Sequence, residues 1–136
     1  MCSFIFTDQQ DVDLEAANYY TQLRGPDYTS TVNQNGYLFV HNLLSITGEM
    51  TTQPFIKYNI CCLYNGEIYN YQDFGDYASD GECLIDLYKK HGPQFVKELD
   101  GEFALVLVDF AKSIFMIATD PFSTKPLWYH ISEEDV

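Results

Sequence analysis

Two stretches, Glu102–Asp109 and Ser113–Thr119, are short apolar runs between polar ends and are separated only by Phe110-Ala111-Lys112. Runs of that length and composition fit buried strands, and so short a separation turns the second strand back antiparallel to the first. A hairpin alone is marginal in water and needs more strands or a helix over its apolar face. The rest of the chain offers both. Ser3–Phe6, Gly36–Val40 and Lys57–Tyr64 are rich in β-branched and aromatic residues and predict strands, and Leu127–Ile131 predicts one more. Asn65-Gly66 lies between Leu63-Tyr64 and Ile68-Tyr69, the strongest short hairpin signal, since a type I′ turn needs positive φ at both positions.

Two helices complete the set. Asp11–Leu23 places Val12, Ala16, Tyr20 and Leu23 on one face. Asp80–Lys90 opens on the capping-box pattern Ser79-Asp80-Gly81-Glu82 and stops at Gly92-Pro93, with Lys89, Lys90 and His91 suiting its C-terminal dipole. The expected architecture is α+β with a mainly antiparallel sheet system, and 136 residues fit a single domain, 1–136.

Charge narrows the function. The formal net charge is −13, which opposes nucleic acid and anionic membrane surfaces. No stretch is long enough to span a bilayer, and the N-terminus lacks a basic region before an apolar run, so a cytoplasmic, reducing setting is expected. Cys61, Cys62 and Cys83 then read as buried thiols, with Cys61 and Cys62 facing opposite sides of a strand. No zinc spacing, Walker loop or dinucleotide glycine pattern occurs, so neither metal nor cofactor is expected. Cys2 differs. If Met1 is removed, one residue carries both a thiol and a free α-amine able to act as its base.

Several words recur in order: Met1-Cys2-Ser3; Arg24-Gly25-Pro26-Asp27; His41-Asn42-Leu43-Leu44-Ser45-Ile46; Gln53-Pro54; Tyr64-Asn65-Gly66-Glu67-Ile68-Tyr69-Asn70-Tyr71; Ser79-Asp80-Gly81-Glu82; Leu99-Asp100-Gly101-Glu102-Phe103-Ala104; Asp120-Pro121-Phe122; and Lys125-Pro126-Leu127. As an ordered set they resemble the glutaminase domain of asparagine synthetase, a class II glutamine amidotransferase of the N-terminal-nucleophile hydrolase fold. The resemblance implies an αββα sandwich, here short, stand-alone and C-terminally curtailed. It implies that Cys2 attacks the side-chain amide of glutamine, and that the Asn65 side chain and the Gly66 N–H hold the oxyanion. Asp80 would bind the α-ammonium, with Glu67 beside the ligand and Leu43, Leu44, Ser45 and Ile46 lining the substrate site. Asp80 reads equally well as a first-turn helix acid, and Glu67 as a solvated carboxylate.

The pattern also breaks. The family has an arginine at position 43 that grips the substrate carboxylate, and this chain has Leu43; Lys57 could replace it only if the fold brought it close. Thr119 stands where the family has arginine, and Ser123 where it has glycine. The synthetase's Ser-Gly-Gly-x-Asp-Ser loop is absent, so any ammonia acceptor is expected on another chain, a synthetase-like partner, and self-association is a second expectation. Three functions follow: a glutamine-hydrolysing subunit, a non-catalytic binding or assembly module, or a hydrolase of a related amide admitted by Leu43.

Overall fold

The computed structural model describes residues 1–46 and 50–132. Its strands are β1 (Ser3–Thr7), β2 (Tyr28–Gln34), β3 (Tyr37–Leu43), β4 (Phe55–Lys57), β5 (Ile60–Ile68), β6 (Gly101–Asp109) and β7 (Ile114–Thr119). Two α-helices, α1 (Leu14–Asn18) and α2 (Cys83–His91), accompany them. One antiparallel sheet has the order β1-β3-β2 and the other β4-β5-β6-β7. The α+β expectation is met.

The sheets face each other through Phe39, with Phe4 and Phe6, on one side and Cys61, Leu63, Val106 and Val108 on the other. The far face of the larger sheet presents Cys62, Tyr64, Leu105 and Leu107 to Leu84, Ile85 and Tyr88 of α2. Strand alternation thus splits Cys61 and Cys62 between two cores, as expected. Each fully buried aliphatic or aromatic side chain in these layers contributes about 1.5–3 kcal/mol. Among the described residues no helix is long and apolar enough to cross a membrane.

The structure departs from the sequence reading in five places. The helix over 11–23 is only α1 followed by a 3₁₀ turn, Thr21–Arg24, and Tyr20 and Leu23 are exposed. What anchors it is polar. Buried Asn18 exchanges hydrogen bonds of 3.1 and 2.7 Å with Asn42 and accepts one of 2.7 Å from Thr21. β2 has too few apolar residues to stand out in the sequence, yet pairs along the whole of β3. Lys57–Tyr64 is not one strand but the β4–β5 turn and half of β5. The reversal falls at Tyr58 and Asn59, whose φ values of 54° and 61° suit a type I′ turn.

Asn65-Gly66, conversely, is no turn. β5 runs straight through it, with Gly66 opposite Phe103. A Cβ on Gly66 would fall on the Glu102 carbonyl, so glycine here permits the close approach of β6. Finally, Leu127–Ile131 forms no strand, and Trp128 and Ile131 are exposed. Strand propensity makes no ladder without a partner. The second helix is present as a 3₁₀ turn, Asp80–Glu82, leading into α2, and Glu82 Oε2 accepts from the N–H of Ala78 and Ser79 at 2.9 and 3.2 Å.

Candidate active site

A cavity of about 340 Å³ opens where β1, β3 and β5 end near the start of α2. Its lining gathers every expected site residue: Cys2, Leu43, Leu44, Ser45, Ile46, Asn65, Gly66, Glu67 and Asp80.

Cys2 immediately precedes β1 and is held by the end of β3. The Leu44 N–H donates to Cys2 Sγ at 3.4 Å, and the thiol lies 3.8 Å from the Leu44 carbonyl. Behind it, Ser3 Oγ donates to the Thr21 carbonyl at 2.7 Å and accepts from Asn42 Nδ2 at 3.0 Å. The Arg24–Asp27 turn braces the same segment. Asp27 N–H donates to the Leu43 carbonyl at 3.0 Å, and Ser45 N–H donates to Asp27 Oδ2 at 2.8 Å. Gly25 packs so closely that a Cβ would collide with the Asn42 carbonyl. Met1 also lines the cavity, with its sulfur 3.9 Å from Arg24 Nη2.

The other three cysteines are buried, and burial pushes their thiols up: Cys61 to about 11, Cys83 to about 12 and Cys62 further still. Such thiols are poor nucleophiles at neutral pH. Cys2, half-buried, is the cysteine that reaches the cavity.

β5 supplies the opposite wall. β4 accompanies it only from Ile60 to Cys62, leaving an open edge beyond. On that edge Tyr64 N–H donates to Gln53 Oε1 at 2.7 Å, and Ile68 N–H donates to Asp80 Oδ2 at 2.7 Å. Alternate residues of a strand turn their N–H groups to the same side, so Gly66 N–H points out between these two. The Asn65 side-chain amide has no hydrogen-bond partner among the described residues and borders the same space. Two donors thus border the cavity that Cys2 also lines. Asp80 Oδ2 also accepts from Tyr64 Oη at 2.6 Å. Burial first, and then the Asp80 charge, hold the Tyr64 hydroxyl protonated far above its usual range, so it remains a donor. Glu67 and Ile46 are exposed at the mouth.

Lys57 is not near this site. It makes an exposed ion pair with Asp86, 2.6 and 2.8 Å to the two oxygens, which raises its pKa. The cation lining the cavity is Lys125, which sequence reasoning quoted in a motif but gave no role. Its ammonium donates to Glu102 at 2.6 Å, and Glu102 lines the cavity too. Asp120 sets this segment, accepting from the N–H groups of Phe103, Phe122 and Thr124. Burial would raise its pKa, but those bonds outweigh it and lower it. Ser123 sits at φ 50° in this turn, a left-handed conformation glycine tolerates better.

His41 lies behind the cavity, 1% exposed, and neither ring nitrogen has a hydrogen-bond partner among the described residues. Burial depresses its pKa to about 4 against a weaker opposing pull from the Tyr64 backbone. The unfolded chain binds a proton on this ring near pH 6.5, whereas the folded chain refuses it until near 4. Stability from this residue is therefore complete above about pH 6.5 and falls as pH drops towards 4, by up to about 3 kcal/mol. Urea titrations at several pH values are expected to show a steeper acid loss in the unsubstituted chain than in His41→Met.

A family model described as a glutamine amidotransferase domain matches residues 1–136. The chain is 36% identical over 118 aligned residues to asparagine synthetase [glutamine-hydrolyzing] 1 of Saccharomyces cerevisiae, covering 77% of this chain and 20% of that protein. It is 31% identical to a probable asparagine synthetase of Schizosaccharomyces pombe, covering 98% and 28% respectively. It is 32% identical to asparagine synthetase B of Escherichia coli, covering 81% and 22%. The chain therefore spans about a fifth to a quarter of the length of these relatives.

Proposed function

Since the chain belongs to the class II glutamine amidotransferase domain family, we propose that it hydrolyses the side-chain amide of glutamine and releases ammonia for an acceptor enzyme on another, synthetase-like chain. The observation that carries this reading is the convergence of Cys2, Asn65, the outward Gly66 N–H and Asp80 on one cavity. The two-sheet layering supports the αββα sandwich of the N-terminal-nucleophile hydrolases, in a single domain over 1–136.

With Met1 removed, the α-amine of Cys2 takes the thiol proton and Sγ attacks the amide carbon. The tetrahedral oxyanion accepts from Asn65 Nδ2 and Gly66 N–H. The C–N bond breaks as the amine returns the proton, ammonia leaves, and a γ-glutamyl thioester remains. Water adds to it by the same route, giving glutamate and the free thiol. No cofactor or metal enters. Asp80, fixed by Tyr64 and Ile68, faces the substrate ammonium with one oxygen engaged and the other turned to the ligand.

Ammonia release from glutamine by the Met1-free protein tests the proposal. In that assay Asn65→Ala lowers kcat roughly 100- to 1000-fold with a smaller change in KM, because the oxyanion exists only beyond the ground state. A KM effect alone would assign Asn65 to binding instead.

Leu43 favours a second reading, a module that binds without turnover. An apolar side chain where a carboxylate must sit weakens capture by roughly ten- to a hundredfold or more. Absence of Cys2 labelling by a glutamine-like electrophile, in folded Met1-free protein, would support that reading.

A further inference from the structure

The cavity that lost its arginine at position 43 has a cation elsewhere. Lys125 is 5% exposed. An ammonium carries three donors, and this one makes a single hydrogen bond among the described residues, to Glu102. A nearly buried ammonium that is ion-paired to Glu102 yet has donors to spare, on the wall of a cavity, can accept a second anion. The remaining charged side chains on that wall are Glu67, Asp80 and Glu102, so Lys125 is the only lysine or arginine there among the described residues.

We propose that Lys125 is the specificity residue that receives the α-carboxylate of the amino-acid substrate, in place of the arginine that Leu43 displaces. The assignment rests on the glutaminase reading and adds which group selects the substrate. Asp80 and Lys125 then form a pair of opposite charges matched to a zwitterion. Asp80 is fixed by two bonds from β5. Lys125 is delivered by a turn that Asp120 ties to β6 at Phe103, next to Glu102. Glu102 is the resting partner that holds the ammonium in place before substrate enters. Lysine binds as a point charge rather than a planar fork, so it tolerates approach from this wall, where an arginine at 43 would come from β3.

The test measures binding in the full chain carrying Cys2→Ala, which cannot turn over. Two probes are titrated by calorimetry: glutamine, and glutaminamide, which keeps the ammonium and side-chain amide but has a neutral carboxamide for the carboxylate. Glutamine is expected to bind roughly ten- to a hundredfold tighter. Lys125→Met removes that preference by weakening glutamine alone, and Leu43→Arg added to Lys125→Met restores it. Should Lys125→Met fail to fold, Glu102→Gln serves: it frees the ammonium and tightens glutamine several-fold without moving glutaminamide. Equal effects on both probes, or none, in the folded variant overturn the assignment of Lys125. Binding of both probes with no preference overturns it while leaving the amide chemistry standing. Failure of the Cys2→Ala chain to bind either probe overturns both.

Discussion

Cys2→Ala is expected to abolish glutamine hydrolysis, lowering turnover on the order of 10,000-fold or more, while leaving the unfolding midpoint within about 0.5 kcal/mol of the parent. Among the described residues Cys2 carries the one thiol lining the cavity, and in this account its sulfur holds the acyl group between the two half-reactions. Its local contacts are weak, a 3.4 Å N–H approach from Leu44 and a 3.8 Å contact with the Leu44 carbonyl. Alanine keeps the backbone, the β1–β3 register and the processing of Met1. Cys61, Cys62 and Cys83 cannot substitute, because they are buried with raised pKa values. Blocking removal of Met1 is expected to produce the same loss with the thiol intact, since the base would then be tied up in a peptide bond. Agreement of these two variants in activity, with different chemistry at Cys2, separates the nucleophile from its base.

Gly66→Ala is expected to be strongly destabilising for a single added methyl group, by about 3–5 kcal/mol. The added Cβ meets the Glu102 carbonyl and the Phe103 Cα, and both are backbone. A side chain could rotate away, but a strand backbone moves only by breaking the pairing of β5 with β6, which runs unbroken from Ile60↔Asp109 to Ile68↔Gly101. Overpacking in such a place costs more than overpacking against side chains. Chemical unfolding measures the loss. Gly36→Ala is the control: its φ is 84° but the nearest atom is the end of Gln10, 3.9 Å away, so it costs only the left-handed strain, about 1 kcal/mol. Equal losses at the two glycines would contradict the close-approach account.

These two residues show what the sequence could and could not convey. Asn65-Gly66 is the best local turn signal, and local propensity alone reads it as a reversal. The ladder overrides it, because β6 lies against β5 on both sides of Gly66 and the pair of strands stays together for nine residues. The true reversal, Tyr58-Asn59, has little turn signature and declares itself only through its two positive φ values. The nine residues expected at the site come from motif words that stand in order in the sequence, and they line one cavity. Lys125 escaped for a physical reason: its relation to Glu102 depends on the turn built by Asp120, which no spacing rule reveals. Lys57 does not reach the cavity because it pairs with Asp86 on α2, and only packing brings those two together. The first helix failed because buried Asn18, rather than an apolar stripe, secures it.

The most direct measurement is a rapid acid quench of Met1-free protein mixed with glutamine, followed by intact and peptide mass analysis with ammonia counted in parallel. The account predicts an N-terminal peptide that begins at Cys2, carries one γ-glutamyl group on sulfur, and appears together with one equivalent of ammonia. Folded, Met1-free protein that releases no ammonia and keeps Cys2 unmodified at saturating glutamine would contradict it.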